Sequence, residues 1–166
     1  MTDVGFIDLS SYKHNLLRDI CNCESIVEFI DSQNPSVDKE DNFSLIYQNV
    51  FPYLRIPSTQ TKADAYVLLG VSKVNVNRHN HAYHDIEIVI WCLAHQERMQ
   101  VKGKNGTRID LLSNEVERLL EGTTKYGFNR LELISSKEIV LDPIYLYRDL
   151  IFRTNDLKHP VSMTGR

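Results

Sequence analysis

The sequence predicts an α+β fold: an antiparallel or mixed β-sheet of about four strands, helices packed on one face, and a long β-hairpin arm. Three observations predict it. Two apolar, β-rich runs, residues 65–71 and 84–95, follow one another across a polar stretch without proline. A single amphipathic helix, marked at both ends, comes next between Thr107 and Gly122. Two further strand-like segments, residues 128–135 and 144–154, close the pattern, so two hairpins flank one helix.

The elements follow in order. Ser10 and Ser11 are candidate caps for a helix running through Leu16, Leu17 and Ile20. A second short helix starts at Ser25, with Ile26, Val27, Phe29 and Ile30 on its apolar side. Ser32-Gln33-Asn34-Pro35-Ser36 is turn chemistry, and the Asp38-Lys39-Glu40-Asp41-Asn42 run after it is a solvated loop. Residues 43–50 are a candidate short strand. Pro52 and Pro57 hold residues 51–58 extended, because each disfavours the helical region at the residue before it.

The strand at 84–95 is the strongest in the chain. Its apolar residues fall on both parities between Ile88 and Leu93, which predicts a central strand covered by helices on one side and a neighbour on the other. Residues 72–83 continue both strands into a projecting hairpin. Thr107 caps the next helix, with Asp110 three residues on, and Ile109, Leu112, Val116, Leu119 and Leu120 form its apolar stripe. In the segment 128–135, Phe128, Arg130, Glu132 and Ile134 face one way, and Leu131 and Leu133 the other. In the last strand Leu146, Leu150 and Phe152 oppose Tyr145, Tyr147 and Ile151. One domain covers residues 1–156, and residues 157–166 read as a C-terminal tail.

Composition narrows the function classes. The 166 residues carry a net charge of −3 and no run of Lys and Arg, which argues against a dedicated duplex-DNA binder. No apolar run approaches the ~18 residues of a membrane span, and Met1-Thr2-Asp3-Val4 lacks the charged start of a signal peptide. A soluble protein made and used in a cytoplasm is expected. Cys21, Cys23 and Cys92 are odd in number, and Cys21-x-Cys23 is too close for a paired zinc knuckle. Three reduced thiols are expected, Cys92 buried in a strand.

One polar cluster invites a chemical reading: Arg78-His79-Asn80-His81-Ala82-Tyr83-His84-Asp85. His79, His81 and Asp85 share parity in an extended chain. With His84 they suggest a metal-binding module or metal-dependent enzyme, but a third or fourth ligand must come from elsewhere, and no second segment supplies it. The alternative is a polar arm with exposed histidines. Adjacent His79, Asn80 and His81 do not match the nuclease motif of those letters, whose residues are dispersed. No nucleophile elbow, phosphate loop or carboxylate pair stands out. No catalytic residue, cofactor or metal ligand set is therefore assigned, and the chain reads as non-enzymatic. Tyr53, Tyr66, Tyr83, Tyr145 and Tyr147 fit either strand propensity or a contact surface.

A longer pattern spans residues 45–156. It runs from Phe51-Pro52-Tyr53-Leu54-Arg55-Ile56-Pro57 through the two apolar strands to the helix entry Gly106-Thr107-Arg108-Ile109-Asp110. It continues through Leu119-Leu120-Glu121-Gly122, the strand from Gly127 to Leu133, and Tyr147-Arg148 with Leu150-Ile151-Phe152. This order resembles the tail-terminator and tail-completion (neck) proteins of long-tailed bacteriophages. The resemblance implies an α+β virion protein without an active site, assembled in the host cytoplasm into a homohexameric ring that caps the tail tube. Its implied partners are copies of itself, the tail tube protein and the head–tail connector or stopper, with DNA passing through the lumen and no membrane involved. Asp38, Glu40 and Asp41 are candidates for the lumen, where negative charge would let DNA slide past. A stopper or adaptor in the same neck, or a small adaptor domain binding a cellular protein, are the neighbouring readings.

Overall fold

A computed structural model describes residues 8–55, 63–76, 83–140 and 142–157. Helix α1 (Leu9–Asn22) is capped by Asp8 rather than by Ser10 or Ser11: the Asp8 carboxylate accepts the Ser11 amide at 2.7 Å. The cap moves because a helix starts where a side-chain oxygen meets an amide three residues on, and Asp8 reaches first. Tyr12, Leu16, Leu17, Ile20 and Cys21 turn inward on one face of α1. Helix α2 (Glu24–Ile30) buries Ile26, Phe29 and Ile30 and stops at Asp31, whose φ of 40° is left-handed.

Residues 43–50 do not form the expected strand. A 3-10 turn, Asn42–Leu45, is capped by Asp41, and the chain becomes extended only at strand β1 (Val50–Phe51). β1 is short but decides the sheet type. It pairs parallel with strand β2 (Ala65–Val76) through Val50↔Val67 and Phe51↔Leu68. β2 runs antiparallel to β3 (Tyr83–His95), β3 to β5 (Tyr145–Leu157), and β5 to β4 (Glu132–Val140). The result is a mixed, open, five-stranded sheet of order β1-β2-β3-β5-β4, one short strand more than the four the sequence marks.

The predicted hairpin strands are β2 and β3, which pair antiparallel and are both longer than their apolar runs; residues 77–82 lie outside the described residues. β5 pairs β3 from Tyr83↔Leu157 to His95↔Tyr145, so the described part of the arm is three strands wide. Strand pairing carries β5 to Leu157, one residue into the expected tail. Helix α3 (Arg108–Leu120) lies where predicted: Thr107 accepts the Asp110 amide, and Gly122 follows the helix with a φ of 75°. β4 begins at Glu132 rather than Phe128. The Leu131 amide donates to Thr123 O and Leu131 O accepts from the Gly122 amide, tying that residue to the end of α3 before the strand starts.

The three helices cover one face of the sheet, as expected. Val67, Leu69 and Val71 of β2, Ile86, Ile88, Ile90 and Cys92 of β3, and Leu150 and Phe152 of β5 meet Tyr12, Leu16, Ile20, Ile26, Ile30, Leu112, Val116 and Leu120 in one core. Each such apolar side chain contributes ~1.5–3 kcal/mol by leaving water. Among the described residues no helix is long and apolar enough to cross a membrane.

Candidate functional site

Among the described residues, no helix lies on the opposite face of the sheet. Alternation sends Tyr66 and Leu68 of β2, Trp91 and Leu93 of β3, Tyr147 of β5 and Ile139 of β4 to this side, where they form a second apolar cluster with Phe51. The double parity of residues 88–93 thus reflects the helix-side core on one face and this aromatic cluster on the other. Leu68 and Leu93 are sealed by the rings beside them and by residues 51–55, which fold over the sheet. Leu54 packs on Gly70, where a Cβ would stand 3.5 Å from Leu54 Cγ, and the Arg55 guanidinium lies 4.7 Å above the Phe51 ring. Trp91 and Tyr147 are 4.7 Å apart between ring centres, Tyr66 and Tyr145 6.2 Å, and His95 and Tyr145 5.2 Å. Trp91 Nε1 donates to Asp149 at 3.0 Å. Burial pushes the Asp149 carboxyl above the ordinary carboxylate range, against the pull of Trp91 and Lys137.

The two edges of the sheet differ from its faces. Among the described residues, the exposed large apolar side chains are Phe43, Tyr47, Tyr53, Leu54, Phe128, Ile134 and Val140. The first four belong to the connection that carries β1; the last three lie on β4 or on the approach to it. At the β1 edge Tyr47, 59% exposed, stands at a φ of 62°, a left-handed conformation that costs a bulky residue on the order of 1 kcal/mol or more. The Tyr47 amide donates to Val50 O at 2.9 Å, and its ring stands 6.4 Å from those of both Phe51 and Tyr53. Beside it a cleft of about 410 Å³ runs between α1 and this segment, floored by Leu9, Leu17 and Pro52. At the far edge, the Phe128 amide donates to Asn155 O at 2.7 Å, and its ring meets Tyr83 at 5.7 Å.

His79 and His81 lie outside the described residues. His84 and Asp85 are consecutive in β3 and point to opposite faces, Asp85 lining a small cavity of about 210 Å³ with Asn129, Arg130, Glu132 and Asn155. Among the described residues no three His, Cys, Asp or Glu side chains are placed to hold a metal ion. Cys21, Cys23 and Cys92 are free thiols, and burial pushes Cys21 up to about 11. Asp38, Glu40 and Asp41 are exposed, but Asp38 accepts the Glu40 amide and Asp41 serves as the cap described above.

Sequence reasoning missed one polar cluster. Asp64, 1% exposed, accepts from the Ala65 and Gln33 amides and binds Arg98 at 3.1 Å; Arg98 also reaches Asp31 at 2.6 Å. Arg108, likewise buried, donates to Arg98 O at 2.7 Å and Phe29 O at 2.6 Å. Burial and the nearby Arg98 charge lower its pKa. Arg108 opens onto a cavity of about 570 Å³ lined by Val27, Phe29, Val37, Leu45 and Val101. These residues come from segments far apart in sequence, and nothing local marks them.

No curated protein matches this chain. The YomW family model matches residues 23–154, which take in α2, all five strands almost to the end of β5, and both sheet edges. With that match covering most of its length, the chain belongs to the YomW family, a family of small phage-type proteins.

Proposed function

We propose that this chain is a structural virion protein of the phage neck, a subunit of a ring, hexameric as in the proteins it resembles, that terminates the tail tube and joins it to the head connector. The observation that carries this reading is the sheet face on which, among the described residues, no helix packs. A sheet backed by helices is stiff, and its other side presents the half-buried Trp91 and Tyr66 over the buried Phe51 and Tyr147, with Arg55 and Asp149 among them. Aromatic residues and Arg are the types enriched at protein contacts, because they give large area with few rotatable bonds. Such a platform fits the end of a tube or a connector ring, and the protein acts by contact, making and breaking no bond. The phage-type family supports the same setting.

Particle imaging tests it. A tag on the chain, detected by gold label in electron micrographs of purified phage, is expected at the head–tail joint. Trp91→Ser is expected to yield separate heads and tails from cells that still make folded protein. Particles that lack the chain, or that join normally in its absence, would refute the assignment.

A further inference from the structure

The exposed apolar side chains are not scattered: they sit at the two opposite margins of one open sheet. One margin carries Phe43, Tyr47, Tyr53 and Leu54, beside the β2 residues that β1 leaves unpaired. The other carries Ile134 and Val140 on β4 and Phe128 on the approach to it, and among the described residues the outer side of β4 pairs with no strand. Tyr47 is held in a left-handed backbone although the residue is 59% exposed. At ~150–250 Å² for a large side chain, and with exposed fractions of 38–68%, these seven residues offer roughly 550–900 Å² of surface. That is enough for the apolar centre of a contact of standard size, ~1,600 Å² in total.

We infer that the two margins are the two halves of one contact between copies of this chain, the Tyr47–Tyr53 margin of one copy seating against the Ile134–Val140 margin of the next. The inference rests on the ring reading and specifies its subunit contact. Two different patches at opposite margins make a head-to-tail interface, and a head-to-tail interface closes into a ring when the rotation between copies allows. Side chains, rather than continued strand pairing, form it. Lys73 and Lys137 stand on the open strands, and the pairing is irregular between Lys73 and Val76 and between Leu133 and Ser135. Edge lysines and bulges are the devices that keep sheets from unlimited edge-to-edge growth.

A mixing experiment tests this by native mass spectrometry of the full chain. Tyr47→Asn with Tyr53→Ser disables one margin, and Ile134→Lys with Val140→Lys disables the other. All four residues are exposed, and unchanged circular dichroism and melting would verify that both variants fold. Wild type is expected at a multiple of 19.2 kDa, and each variant alone at 19.2 kDa. An equal mixture of the two variants is expected at twice that mass and no higher, because one competent contact remains per pair. A variant that keeps the wild-type mass, or that dimerises alone through its intact margin, overturns the inference while leaving a ring built on other surfaces standing. A wild-type chain that remains at 19.2 kDa at every concentration overturns both.

Discussion

Replacing Asp64 by alanine should be the most damaging polar substitution in the chain. Asp64 joins four partners: the Ala65 amide at 2.9 Å, the Gln33 amide at 3.3 Å, Ser32 Oγ at 3.4 Å and Arg98 Nη1 at 3.1 Å. Its loss leaves Arg98, with a side chain only 13% exposed, to the half-exposed Asp31 alone. Removing one partner of a buried pair costs ~3–5 kcal/mol, and the remaining Asp31 contact keeps the expected loss near ~3 kcal/mol. For a chain of this length that lowers the melting temperature by about 6–12 °C. Asp64→Asn keeps an acceptor for the Ala65 amide and should cost less, ~1–2 kcal/mol. Urea unfolding followed by circular dichroism measures both. The damage should also reach the β1 margin, since Ser32 Oγ donates to Asn49 and Asn49 donates to Ala65 O at 2.8 Å. Faster hydrogen exchange at Val67, whose amide donates to Asn49 O, would register it. A loss below ~1 kcal/mol for Asp64→Ala, or equal losses for Ala and Asn, would show that the pairing does not hold this corner together.

Three further outcomes follow from the geometry. Tyr126 donates to Asp19 and Tyr12 to Asp156, both at 2.5 Å, and burial followed by these carboxylates raises each phenol above its ordinary 10.0. The unfolded chain therefore ionises first, so this stability is complete below about pH 10 and falls as pH rises beyond it. Tyr126→Phe should flatten the decline in urea midpoint between pH 9 and 11; parallel declines would refute the coupling. Cys21 and Cys92 are buried and Cys23 is half-buried, so Ellman's reagent at pH 8 should titrate one thiol promptly and two more only in denaturant; three prompt thiols would contradict that packing. A Cβ on Gly127 would stand 2.7 Å from Asn155 O and 2.6 Å from Thr154 Cγ2. Gly127→Ala should thus cost ~1–3 kcal/mol by thermal melting, and an unchanged melting point would count against the close approach.

Where local chemistry decides, the sequence is readable. The Thr107 cap and the Ile109–Leu112–Val116–Leu120 stripe are complete within α3, and the helix lies where they place it. The alternation of Leu146, Leu150 and Phe152 against Tyr145 and Tyr147 likewise survives into β5. What fails is long-range. β1 exists because two residues find β2 across the intervening chain; the β-propensity of Val50 and Phe51 permits a strand there but does not name its partner. Periodicity reports that Leu93 is buried but not by what, so the aromatic seal on the face opposite the helices is legible only as double parity. The Asp31–Asp64–Arg98–Arg108 cluster draws on four separate segments, and the margins at Tyr47 and Val140 become opposite only once the strand order is known.

Self-association is the claim on which the rest depends, and sedimentation equilibrium of the untagged chain over a hundredfold concentration range tests it most directly. The expected result is an assembly approaching six times the chain mass of 19.2 kDa as concentration rises. A single species at 19.2 kDa throughout would contradict it.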